Sequence, residues 1–128
     1  MQALAELHAE GGLPAEFKAA HPDDTAFYKS IIAGGGPEGY AALCVVTGDL
    51  DLGGDLGRIA APVLLLEGEL DRVVRPDSVR STSSSIPGCE YVELEGCGHI
   101  VPLERPDELV GLVGDFIART APLAAKPA

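Results

Sequence analysis

The sequence is short of basic residues, of cysteine and of long apolar runs, and each shortage removes a class of function. Only 9 Lys and Arg stand against 20 Asp and Glu, a formal net charge of -11 at pH 7. Nucleic acid and anionic membrane surfaces need a basic face, and this chain repels both, so neither is an expected partner. Three cysteines, Cys44, Cys89 and Cys97, form an odd set without regular spacing. That argues against a disulfide scaffold and for a reducing, cytoplasmic compartment. The apolar run Val63-Leu64-Leu65-Leu66 falls far short of the roughly 20 residues that cross a bilayer. Met1 to Glu10 lacks a basic stretch leading into an apolar one, so no secretion signal is expected. Internal repeats and low-complexity segments are absent as well.

What remains has the composition of an ordinary globular chain, with 46% hydrophobic and 23% charged residues over 128 positions. One core is expected, burying roughly two-thirds of the surface that the unfolded chain exposes.

The first part reads as short helices. Met1 to Ala9 places Ala3, Leu4 and Leu7 on one face and meets a break at Gly11-Gly12-Leu13-Pro14. Asp23 and Asp24 are positioned to cap a second helix through Ile31 and Ile32, closed by Gly34-Gly35-Gly36. Pro37 opens a third through Tyr40, Leu43 and Val46. The connector Gly48 to Asp55 carries Asp49, Asp51 and Asp55, but without the spacing and terminal Glu of a calcium loop.

Beyond the connector the pattern changes. Pro62 to Leu66 is apolar on both alternating faces, which predicts a strand of a parallel sheet covered by helices. A helix is predicted over Pro76 to Ser85, a second strand over Cys89 to Leu94 and an amphipathic helix over Arg105 to Arg119. Leu109, Leu112, Val113, Phe116 and Ile117 form the apolar stripe of that last helix. Strand, helix, strand, helix is the βαβα signature of an α/β fold. The tail 121–128, with Pro122 and Pro127, is expected to fray.

Active groups of parallel α/β sheets lie at the carboxyl ends of strands, which singles out the loops after Leu66 and Leu94. The first carries Asp71 in Glu67-Gly68-Glu69-Leu70-Asp71, and the second carries His99 in Glu95-Gly96-Cys97-Gly98-His99. Adjacent parallel strands would set the loops side by side, so that a carboxylate could accept the imidazole N–H and fix its tautomer. Glu67 and Glu69 are expected to line the strand end without chemistry, Glu104 to favour the start of the last helix, and His8 and His21 to be solvated. Cys89, Cys97 and His99 match no standard zinc spacing.

The stretches Ile59 to Asp71, Ile86-Pro87-Gly88, Gly96-Cys97-Gly98-His99 and Leu103 to Leu109 together resemble the C-terminal part of the α/β-hydrolase fold superfamily. Within it, the connector from Asp49 through Ile59 is similar to 3-oxoadipate enol-lactonase-like and related small-ester hydrolases. The resemblance implies two parallel strands with flanking helices, preceded by short helices from the cap region. It divides the chain into a cap-derived segment and connector over 1–57, a βαβα core part over 58–120 and the tail 121–128. It makes Asp71 the acid and His99 the base of a triad, with a small ester or lactone as substrate and no metal or organic cofactor.

The nucleophile of that triad sits on a Gly-x-Ser-x-Gly elbow upstream of the acid, and the sequence contains none. Ser30 lies in a helical stretch without glycines, Ser81, Ser83, Ser84 and Ser85 fall on a solvated helix end, and Cys44 and Cys97 read as buried structural cysteines. The chain is therefore expected to carry about half of an enzyme, its sheet edge open to a complementing N-terminal half or to a second copy. The alternative is a truncated, non-catalytic protein that acts by such association.

Overall fold

The computed structural model describes residues 1–121; the predicted fraying of the tail lies, from Pro122 on, outside the described residues. Four helices come first: α1 (Gln2–Gly12), α2 (Ala15–Ala20), α3 (Pro22–Ala33) and α4 (Pro37–Asp49). A 3-10 turn (Gly53–Arg58) leads into β1 (Leu64–Gly68), α5 (Pro76–Ser85), β2 (Glu90–Leu94), the single turn α6 (Val101–Glu104) and α7 (Pro106–Thr120).

β1 and β2 pair in parallel, with Leu64 opposite Glu90 and Gly68 opposite Leu94. A parallel pair needs a crossover, and α5 supplies it, packing on both strands. Leu94, Cys97 and Val101 form the buried core, flanked by Val92 and by Leu109 and Leu112 of α7. This is the expected α/β arrangement of two parallel strands with flanking helices.

Several local expectations are corrected. α1 continues through the glycine pair and ends at Gly12, because Leu13 precedes a proline and is driven to extended backbone at φ -117, ψ 130. Its buried side chains are Ala5 and Ala9 rather than the Ala3, Leu4 and Leu7 face, and Leu7 is 66% exposed. Small side chains let α1 lie close against α3, and the two helices pack together. Asp23 and Asp24 do not cap α3: His21 is its N-cap, Pro22 fills the first helical position, and the two carboxylates act from the first turn on the helix dipole. β1 starts two residues later than expected and extends to Gly68, since Pro62 has no N–H to donate to a ladder. Leu64, Leu65 and Leu66 are half-buried rather than enclosed on both faces. Ile117, placed in the apolar stripe of the last helix, is exposed. α2 and α6 were not legible as separate helices.

Candidate active site

β1 hands the chain to the acid-bearing loop through three backbone bonds. Glu69 N donates to Leu94 O at 3.0 Å, Leu70 N to Cys97 O at 2.8 Å and Asp71 N to Gly68 O at 3.1 Å. The two loops touch so closely that a Cβ at Gly68 would collide with the backbone oxygens of Gly98 and Cys97. Only glycine fits there. The loops after β1 and β2 are thereby locked to each other by backbone, before any functional side chain is considered.

Asp71 is buried. Its Oδ1 accepts Val73 N at 2.7 Å and Val74 N at 2.9 Å, and its Oδ2 accepts the His99 Nδ1–H at 2.8 Å. An ionised carboxylate only accepts, so this bond assigns the proton to Nδ1 and leaves Nε2 as the basic nitrogen. The aspartate side chain is 6% exposed and the imidazole 32%, so the carboxylate is enclosed while one side of the ring faces outward. Among the described residues no hydrogen bond engages Nε2.

The second loop starts at Gly96, whose φ of 66 lies in the left-handed region that favours glycine. Its N–H donates to Glu69 Oε2 at 2.9 Å, giving Glu69 a structural role across the loops. Three consecutive amides then find acceptors: Gly98 N on Glu104 Oε2 at 2.7 Å, His99 N on Gly12 O at 2.8 Å and Ile100 N on Glu104 Oε1 at 3.1 Å. Glu104 ends α6 with its carboxylate turned inward and buried, which corrects the expectation that it serves the start of the last helix. Gly98 has Gly12 O and Pro14 Cδ so close that a side chain has no room.

Beneath the loops lies a second polar cluster. Glu67 is 3% exposed, its Oε2 accepts the Tyr91 hydroxyl at 2.9 Å and its Oε1 is buried without a partner. Burial pushes the Glu67 carboxyl above its ordinary value, the Tyr91 bond opposes that rise, and the Asp71 charge adds to it. Burial, and next the bond to Glu67, push Tyr91 up to about 12. Burial, and next the Glu104 charge, push the Cys97 thiol up to about 11. The neutral thiol is the stable form there, as the reading of Cys97 as a buried structural residue requires.

The remaining candidates lie elsewhere. Cys44 is exposed on α4 rather than buried, on a helix with no buried residue. His8 is not merely solvated: its Nε2 meets the Tyr40 hydroxyl at 3.0 Å. Ser30 donates to Phe27 O, and the hydroxyls of Ser83, Ser84 and Ser85 bond back to carbonyls of their own helix. Asp51 Oδ1 accepts Gly53 N at 3.1 Å, a turn role. Among the described residues no three His, Cys, Asp or Glu side chains gather as a metal site, and no helix is long and apolar enough to cross a membrane. Next to the His99 loop, Phe27, Tyr28, Ile31, Ile100, Pro102 and Leu103 line an apolar groove of about 240 Å³.

Gly12, Gly68, Gly98 and Glu104 were missed as site residues. The available signal was an acid directly after the apolar run Ile100-Val101-Pro102-Leu103 and the glycines beside each candidate.

Comparison with known proteins bears on the family and the fold. The enol-lactonase from Burkholderia xenovorans LB400 superposes with a TM-score of 0.87 at 30% identity, over 92% of this chain and 45% of that one. A thermophilic esterase from Thermogutta terrifontis gives the same TM-score at 22% identity, over 93% and 44%, and shows the fold alone. A monoacylglycerol lipase from Xenopus laevis is 34% identical over 64 residues, 50% of this chain and 19% of the lipase. Rhodomycin D methylesterase from Streptomyces peucetius is 33% identical over 61 residues, 48% and 20%. The chain thus spans about a fifth of these curated relatives and under half of the solved structures. The profile described as the alpha/beta hydrolase family matches residues 3–112, most of the chain, and the protein belongs to that family.

Proposed function

We propose that this chain supplies the acid, Asp71, and the base, His99, of a Ser-His-Asp hydrolase acting on a small ester or lactone. The observation that carries the reading is the 2.8 Å bond between His99 Nδ1 and Asp71 Oδ2, with the second carboxylate oxygen already occupied by two amides. The loop amides hold Oδ1, and Oδ2 is turned to the imidazole. The serine comes from an upstream segment or a second chain. As its Oγ bonds to the substrate carbonyl carbon, its proton passes to His99 Nε2 and Asp71 stabilises the imidazolium. The imidazolium then gives that proton to the leaving oxygen as the C–O bond breaks. Water repeats the sequence on the acyl-serine, releasing the acid and restoring the serine. No step calls on a cofactor. The apolar groove beside His99 suits the hydrocarbon part of such a substrate.

The test is to express the longest reading frame that contains this chain and assay 4-nitrophenyl acetate and δ-valerolactone hydrolysis. His99→Ala and Asp71→Asn are each expected to lower kcat by about 10³-fold or more. Activity that survives both substitutions overturns the reading.

A second reading, a non-catalytic fragment that works by association with itself or a partner, draws on the missing Gly-x-Ser-x-Gly elbow and on the exposed row Leu43, Val45, Val46, Leu50 and Leu52. It predicts a concentration-dependent mass in sedimentation. A monomer at all concentrations removes self-association.

A further inference from the structure

The carboxylate of Glu104 is expensive where it sits. A buried acid is destabilising unless donors match its oxygens. Its two oxygens go to Gly98 N and Ile100 N, the amides on either side of His99. The amide between them, that of His99 itself, donates to Gly12 O at the end of α1. Three successive amides of a segment outside any helix or strand are thus pinned by acceptors from two different elements. Gly98 gives the carboxylate room, with Glu104 Oε1 at 3.0 Å from the position a Cβ would take.

We propose that Glu104 is a positioning residue for His99: by fixing the backbone on both sides of the base, its buried carboxylate holds the imidazole Nδ1–H on Asp71. Charge-assisted bonds to backbone amides are roughly twice as strong as neutral ones, and a reacting group held to within about half an ångström needs such support. The geometric part of this proposal stands without the catalytic reading; its consequence for hydrolysis rests on that reading.

The chain itself suffices for the test. The His99 Nδ1–H proton, when it is hydrogen-bonded and shielded, gives a downfield proton resonance whose exchange with water reports the bond to Asp71. Glu104→Asp keeps the charge but is one methylene too short to reach both amides. It is expected to speed exchange of that proton by about tenfold or more, the loss of roughly one hydrogen bond, while the backbone spectrum stays folded. An unchanged resonance and exchange rate in Glu104→Asp overturns the proposal. Should that variant fail to fold, Glu104→Gln, of equal length but with one acceptor oxygen, takes its place with the same expectation and the same overturning result. Asp71→Asn separates the two ideas: if the resonance survives that substitution, the Asp71–His99 pairing fails, whatever Glu104 does.

Discussion

The loops after β1 and β2 and the helix α4 lie at opposite extremes of packing. The loops are locked backbone against backbone, with Gly68 and Gly98 admitting no Cβ and Asp71, Cys97 and Glu104 buried. α4 has no buried residue, although it carries Leu43, Val45 and Val46. Apolar content therefore does not decide where this chain is tight. What decides is whether polar backbone has been brought together with nowhere else to bond: the loop amides must be satisfied inside the molecule, and that demand pins Asp71 and His99, whereas Leu43, Val45 and Val46 of α4 stay exposed.

Breaking the locked side should have the largest effect. Gly68→Ala is expected to cost about 3 kcal/mol or more, since the three obstructing atoms, the carbonyl oxygens of Gly98 and Cys97 and the carbonyl carbon of Cys97, are backbone and cannot rotate away. A urea midpoint equal to that of the parent would show that the two loops are not in contact. Gly98→Ala, which faces Gly12 O and Pro14 Cδ, should fall in the same class and release α1 from the His99 loop.

Cysteine reactivity sharpens the contrast. Cys97 is fully buried with its thiol pushed up to about 11, whereas Cys44 is exposed. At pH 8 a thiol reagent should modify Cys44 at least about a hundredfold faster than Cys97, because only the thiolate reacts and access is blocked as well. Mass spectrometry of the partly labelled chain reads this directly, and comparable labelling of the two would mean that the loop core opens on the same timescale.

A smaller effect comes from Glu67. Its folded-state pKa is raised by burial above the ordinary 4.5, so over the range between those two values the folded state holds a proton that the unfolded chain has lost. The stability Glu67 contributes is fully present below that ordinary value and is lost as pH rises through the raised one. Glu67→Gln keeps an acceptor for Tyr91 and does not titrate, so its urea midpoint should fall less than the parent's above pH 4.5. Parallel pH profiles would contradict the burial of this carboxyl.

The smallest change belongs to the open side. Gly39 lies inside α4 with nothing within 4 Å of an added Cβ, so Gly39→Ala should be neutral or stabilising by up to about 1 kcal/mol. Calorimetry of this variant beside Gly68→Ala gives glycine substitutions of opposite sign in one chain.

The legible parts of the fold share a physical feature. α5 was read at its observed bounds, Pro76 to Ser85, because proline at the first helical position and the break before Ile86 are local signals. The parallel pairing followed from an apolar strand and a crossover-length helical spacing. Asp71 and His99 were legible because each follows a strand end, and the structure brings them to 2.8 Å of each other. Gly12 was not legible, since a carbonyl at the end of α1 acquires its meaning only when a distant segment meets it; Glu104 was not legible because only the turn of α6 folds its carboxylate back onto amides four and six residues upstream. The buried face of α1 was misread because leucines suggest burial by their hydrophobicity, while the residues of α1 that are covered are the small Ala5 and Ala9, in a helix that packs with α3.

The sequence by itself determined the acidic character of the chain, the order of its two strands and the helices that flank them, the family and the two side chains at the strand ends. These depend on composition, on periodicity and on residues whose spacing carries information within one element. Tertiary structure alone decided which oxygen of Asp71 faces the imidazole, why Gly68 and Gly98 have no side chain, and why a glutamate beyond the base is buried. The first two are contacts between segments far apart in the chain, and the third is a fold-back over four to six residues; all follow from buried amides and carboxylates that, deprived of water, bond to one another.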